Sequence, residues 1–194
     1  MQRAITRAEE ARARGDVVAE LRDLTLFVAL VAEEAVSTPT GDEVLAGYAL
    51  ETPLSRIWEI LKGGQVAPSE LPDLQTSAHI AAVLGLRELS LGILEHPRTD
   101  TPFWEEYRRG LVAFAQGDEF SPDPKVIARA KGELRYYLPF LAYFAGTATI
   151  AAIDSAFEKR SKDKRLVSYG FDGDGGTPAS WHLRKFAILA LRAR

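Results

Sequence analysis

The segment SAHIAAVLGLRELSLGIL, residues 77–94, is apolar on nearly every side when it is drawn as a helix. A helix that is apolar all round is usually surrounded by other elements. We therefore predict a central core helix over residues 74–95. The remaining segments would cover it, which predicts an all-α fold, an irregular bundle with a loop-rich C-terminal third.

Helix starts recur on both sides of this segment. Asp16 is a suitable N-cap for a helix over residues 16–36, whose apolar residues recur every three or four positions. Thr40 and Glu43 have the spacing of a capping box. Proline suits the first turn of a helix, so four further pairs predict starts: Thr52-Pro53, Thr101-Pro102, Asp123-Pro124 and Thr177-Pro178. Together these signals predict seven or eight helices.

The C-terminal half is predicted to contain one long helix, a short extended segment and a last helix. Apolar residues from Ile127 to Ala148 follow one long stripe, in which Pro139 predicts a kink. Residues 166–171, LVSYGF, are too short for more than one strand. The last helix is predicted to have an apolar side with Trp181, Phe186 and Leu189. Its far side is basic and carries Arg184, Lys185 and Arg192.

Length and composition indicate one globular domain. The chain has 194 residues, of which 46% are hydrophobic and 26% are charged. These values suit a chain that buries a single core, and we predict one helical domain over residues 1–194. The clearest loop is GGQVAPSELPD, residues 63–73, which is polar and contains two prolines. This loop would be the hinge if the helices form two layers.

Charge and cysteine content argue against several classes of function. The net charge is −3 and the isoelectric point is about 5.7, which does not favour nucleic acid as a partner. The absence of cysteine excludes disulfides, thiolate metal sites and thiol nucleophiles. The first residues lack the apolar core of a signal peptide, and no apolar stretch reaches the roughly 20 residues of a membrane span. We therefore predict a cytoplasmic protein without a membrane partner.

The sequence shows no ligand pattern for a metal or a cofactor. Di-iron helical bundles need Glu-x-x-His pairs, and none occurs. The three histidines are scattered, and His79 lies in the most apolar segment, where a hydrogen-bonded core histidine is the ordinary role. We predict no metal site and no cofactor.

The glycine-rich loop DGDGG, residues 172–176, resembles the start of an EF-hand calcium-binding loop, because Asp172 and Asp174 stand at its first and third positions. The pattern then fails, since the sixth position is Thr177 rather than Gly and the twelfth is Leu183 rather than Glu. A phosphate cradle is also disfavoured, because both aspartates would repel an anion. A glycine turn is the simpler interpretation.

The densest run of positive charge in the chain, within residues 159–165, lies at a predicted helix C-terminus. Exposed carbonyl groups there favour cations, so the simplest role of these side chains is to cap the helix end while they remain in solvent. The functional alternative is a basic face that meets an acidic partner or nucleic acid, to which the last helix would add Arg184, Lys185, Arg192 and Arg194. The run itself consists of Lys159, Arg160, Lys162, Lys164 and Arg165.

Trp181 and His182 follow the glycine-rich loop in the first turn of the last helix. They could line the mouth of a pocket together with Asp172, Asp174 and Arg184. The alternative for Trp181 is a core anchor, because tryptophan side chains bury a large apolar area.

These observations favour a non-catalytic helical module that binds a protein partner through its charged C-terminal region, in the manner of bacterial immunity or antitoxin-type proteins. The alternative is an enzyme or binding protein for an anionic small molecule, with a site near residues 172–184. Whether the chain catalyses a reaction stays open. A homodimer also stays open, because the apolar breadth of the helices at 16–36 and 74–95 suits either a core or a dimer interface.

Overall fold

The computed structural model describes residues 1–37, 45, 47–163 and 178–192. These residues form ten α-helices and one 3-10 helix, without a strand, so the all-α prediction is confirmed for them. The predicted number of seven or eight helices was too low, because segments expected as single helices are divided. The capping-box residues, the LVSYGF segment and the glycine-rich loop lie outside the described residues. The helices are α1 Gln2–Arg14, α2 Val17–Ser37, α3 Glu51–Lys62, α4 Gln75–Val83, α5 Arg87–Glu95, α6 Pro102–Gln116, α7 Pro124–Arg129, α8 Leu138–Phe144, α9 Ile150–Ser161 and α10 Pro178–Arg192, and the 3-10 helix is Gly132–Tyr137.

The contacts of the chain divide it into two compact units. The first unit is Met1–Thr99 together with His182–Arg194, and the second is Asp100–Trp181. The loop at 63–73, which the sequence marked as a hinge, lies inside the first unit. The single domain therefore stays a prediction, and each unit is described by itself.

The first unit begins with a helical hairpin of α1 and α2. Small side chains of Ala4, Ala8 and Ala11 are buried along one face of α1, which lets the two helices approach closely. Gly15 takes a positive φ of 71° at the end of α1, a conformation that glycine adopts without strain. The Asp16 carboxylate then accepts a hydrogen bond from the Ala19 amide at 3.0 Å, which confirms the predicted cap.

The central apolar segment forms two helices rather than one, so the prediction of a single helix over residues 74–95 was wrong. Helix α4 ends at Val83 and α5 begins at Arg87, with Gly85 between them at a φ of 78°. The two helices pack on each other, and the Ser90 hydroxyl donates to the carbonyl of Ala78 at 2.8 Å. The apolar residues on every side of this segment are therefore explained by a helical hairpin, because each of its two helices buries one side against the other helix and further sides against the rest of the unit.

A partly buried ion pair, which the sequence pattern did not predict, joins α2 to α3. The Arg56 guanidinium donates to both carboxylate oxygens of Glu20, from Nε at 2.7 Å and from Nη2 at 2.9 Å. Glu20 is buried, and the two parallel hydrogen bonds satisfy its oxygens. The carboxylate raises the pKa of Arg56 further above its already high ordinary value.

The second unit replaces the predicted long helix of residues 127–148 with three short elements. Helix α7 ends at Arg129, a 3-10 helix follows, and Pro139 stands in the first turn of α8 instead of kinking a longer helix. Ile127, expected on the buried stripe, is 38% exposed. The prediction failed because proline fits the first turn of a new helix better than a helix interior.

Aromatic side chains fill the core of the second unit. The Tyr107 ring contacts the rings of Phe140 and Phe144 edge-on, at centroid distances of 5.8 and 5.4 Å. The predicted start of α6 at Thr101-Pro102 is confirmed, as is the start of α7 at Asp123-Pro124, where the Asp123 carboxylate accepts from the Lys125 amide.

Candidate partner-binding surface

The described residues of the basic run differ in how far their side chains are exposed to solvent. Lys159 and Lys162 are exposed at the end of α9. Arg160 is not a free surface cation, because its guanidinium pairs with Glu133 and its side chain is largely buried. Asp163, the acid within the run, accepts hydrogen bonds from the Tyr136 hydroxyl at 2.8 Å and the Arg135 guanidinium at 3.0 Å. Arg160 therefore lies in the last turn of α9 but is not a solvated cap, and the role of the basic run stays a prediction; Lys164 and Arg165 lie outside the described residues.

Trp181 occupies the aromatic core of the second unit. Its side chain is 1% exposed, and its ring lies 4.7 Å from that of Tyr137, 4.9 Å from Phe140 and 5.8 Å from Phe157, between centroids. Its indole Nε1 is buried and has no hydrogen-bond partner among the described residues. This placement supports the core-anchor interpretation over a pocket mouth.

The buried face of α10 within the first unit contains an arginine. Arg184 is 4% exposed, and its Nη1 donates to the Gln75 side-chain oxygen at 3.0 Å. A second polar contact comes from Arg87, whose Nη1 donates to the carbonyl of Leu191 at 2.8 Å. The predicted basic far side of α10 was therefore wrong for Arg184, because this guanidinium packs inward against α4. The remaining buried positions of this face are Leu183, Ala187, Ile188 and Leu191.

The opposite face of α10 exposes two large apolar side chains one turn apart. Phe186 is 52% exposed and Leu189 is 39% exposed. Residues at helical spacing on this face complete what we call the α10 stripe: His182, Lys185, Phe186, Leu189 and Arg192. Positions 182, 185, 186, 189 and 192 follow the spacing of three and four residues that places side chains on one face of a helix.

The sequence pattern predicted Phe186 and Leu189 on the apolar side of the last helix with Trp181, so the exposed stripe was not predicted. Helix α10 has apolar residues on two sides. Which of them are exposed depends on which side packs against the rest of the unit, and the composition of the helix does not decide this. Trp181 and Phe186 are five residues apart, which does not put them on one face. That spacing was the signal in the sequence that could have separated them.

His79 is buried near two guanidinium groups of the first unit. Burial lowers the pKa of His79 well below its ordinary value, and the charges of Arg184 and Arg98 lower that pKa further. The imidazole is therefore neutral at pH 7. The pKa of His96 is also lowered, by burial and then by Arg98.

The remaining candidate residues do not form a metal-binding group within the described ranges. No group of three or more acidic or histidine side chains there could hold a metal ion. His182 is partly exposed on α10. Asp172 and Asp174, the acids of the glycine-rich loop, lie outside the described residues, so the predicted pocket mouth stays a prediction.

Comparison with known proteins adds no assignment. No family model matches the chain, and the searches of curated proteins and of solved structures found no match. Among the helices of the described residues, none has the length and apolar character needed to cross a bilayer.

Proposed function

We propose that the protein is a helical interaction module that binds a protein partner through the α10 stripe. The observation that carries the proposal is the pair of exposed side chains Phe186 and Leu189 at the centre of this stripe. A helix that is apolar on two opposite faces is ordinarily covered on both. One face of α10 packs inside the first unit, so a partner would cover the other.

The chemistry of the stripe defines the kind of partner. Lys185 and Arg192 add positive charge beside the two apolar side chains. Aromatic and aliphatic anchors at the centre of a patch, with charged groups around them, are the usual arrangement of a protein interface. We expect a partner with an apolar groove bordered by acidic side chains, as an immunity or antitoxin-type module would require.

The test replaces both anchors, in the variant Phe186→Ser/Leu189→Ser, and captures partners from a lysate of the cells that produce the protein. We expect the main partner of the wild-type protein to be lost. With the purified partner, affinity should fall about thirtyfold, because burying the exposed part of the two side chains contributes about 2 kcal/mol.

The matched control is Leu26→Ser/Ile127→Ser, which removes two apolar side chains of similar exposure from α2 and α7. This control should bind the partner as the wild-type protein does. Equal affinity of the anchor variant and the wild-type protein, or equal losses in the two variants, would contradict the proposal, as would the absence of any partner of the wild-type protein.

The second candidate function is binding of an anionic small molecule, with Arg184 as its cationic group. The observation that favours it is the burial of Arg184, which is 4% exposed beside Gln75, and the charges of Arg184 and Arg98 both lower the pKa of buried His79. A ligand that binds only the folded state raises the melting temperature. We expect inorganic phosphate at millimolar concentration to raise it in the wild-type protein and not in Arg98→Gln; equal shifts in both proteins would refute this candidate.

A further inference from the structure

A row of exposed and half-buried side chains runs along one side of α2 in the first unit. Leu26 is 41% exposed, and Arg22 is exposed one turn before it. Ala29 and Glu33 are half-buried and continue the row. We call Arg22, Leu26, Ala29 and Glu33 the α2 seam. Other sides of α2 pack against α1, α3 and α4, and the seam shares no residue with the α10 stripe.

The spacing of the α2 seam is that of a helix packed along another helix. Its four residues follow one another at intervals of four, three and four positions, which keeps them on one narrow stripe of α2. This stripe is about 16 Å long, at the rise per residue of an α-helix. Leu26 and Ala29 form its apolar centre, and Arg22 and Glu33 place one charge of each sign at its two ends.

The order of these residues makes the seam complementary to a second copy of itself. Positions 22 and 33 lie at equal distances from the midpoint of the seam, and so do positions 26 and 29. In an antiparallel pair of α2 helices centred on this midpoint, Arg22 of each copy faces Glu33 of the other copy, and Leu26 faces Ala29. Opposite charges meet at both ends, and a large side chain meets a small one at the centre. A parallel pair would bring like charges together, which is unfavourable.

We propose that the α2 seam binds a second copy of this chain, in a twofold-symmetric, antiparallel pair of α2 helices. A twofold interface uses the same patch on both copies, so the patch must be complementary to itself, and the α2 seam meets this condition. It also lies within residues 16–36, where the sequence left a homodimer open. The seam is short, so the dimer is expected to be weak and to depend on concentration. Its loss should leave the α10 stripe able to bind its partner.

The test is sedimentation equilibrium of the whole chain over about a hundredfold range of concentration, in which the wild-type mass should rise towards that of a dimer. Arg22→Glu and Glu33→Arg should each weaken the dimer about tenfold, because each puts like charges at both ends of the pair. An equimolar mixture of these two variants should associate about tenfold more tightly than either alone, because opposite charges then meet again at both ends.

The matched control for charge is Arg3→Glu, which makes the same change at an exposed position of α1 and should dimerise like the wild-type protein. Leu26→Ser should weaken the dimer, and Ile127→Ser, which truncates a side chain of similar exposure on α7, should not. Circular dichroism checks that each variant is folded. A wild-type protein that stays monomeric throughout, charge variants that dimerise like the wild type, or a mixture that associates no better than its components would overturn the proposal.

Discussion

Replacing Trp181 by alanine should lower the free energy of unfolding by about 3–5 kcal/mol, the usual cost of truncating a fully buried tryptophan. The Trp181 ring is 1% exposed and contacts three other aromatic rings in the core of the second unit, so its removal leaves a cavity there. Since native proteins are stable by about 5–15 kcal/mol, this loss is a large fraction of the total. Urea unfolding followed by circular dichroism measures it.

The control for this prediction is Phe186→Ala on the same helix. Phe186 is exposed, so its truncation should change stability by about 0.5 kcal/mol or less. The two substitutions also separate the two roles that the sequence allowed for Trp181. If Trp181→Ala keeps its stability and loses a ligand or partner instead, Trp181 lines a site and the core-anchor interpretation is wrong.

The sequence predicted helix starts better than helix lengths. Asp16, Thr101 and Asp123 each stand immediately before a helix, because a cap or a following proline acts through the adjacent backbone alone. The breaks at Gly85 and around residues 130–137 were missed, because they depend on the tertiary contacts that make two short helices pack better than one long helix. Helix α1 was also missed; its signal was the spacing of Ala4, Ala8 and Ala11.

The candidate surface shows the same limit. The residue types of α10 were visible in the sequence, but apolar residues occur on both of its faces, and periodicity does not tell which face packs inward. Arg184 is the clearest case, since an arginine was expected on the solvent side and instead donates to Gln75 of α4. Hydrogen bonds between residues 109 positions apart in sequence are beyond the reach of a local pattern.

The stability of the first unit should decrease as the pH falls below 6.5, because of His79. Its pKa in the folded protein lies well below the ordinary value of 6.5, owing to burial and to the charges of Arg184 and Arg98. The unfolded chain therefore takes up this proton first as the pH falls. The stabilisation is fully present above pH 6.5, and about 1.4 kcal/mol is lost for each pH unit between the ordinary and the lowered pKa.

The measurement is urea unfolding of the wild-type protein and of His79→Gln at pH 7.5, 6.5 and 5.5. Glutamine has no proton to gain, so the difference in stability between the two proteins should shrink or reverse in favour of the variant by about 1 kcal/mol between pH 6.5 and 5.5. His96 titrates in both proteins, and its lowered pKa contributes equally to the two profiles, so it cancels from the difference. A difference that stays constant across this range would mean that His79 takes up its proton as readily when folded as when unfolded, and would exclude two guanidinium charges close to a buried, neutral imidazole.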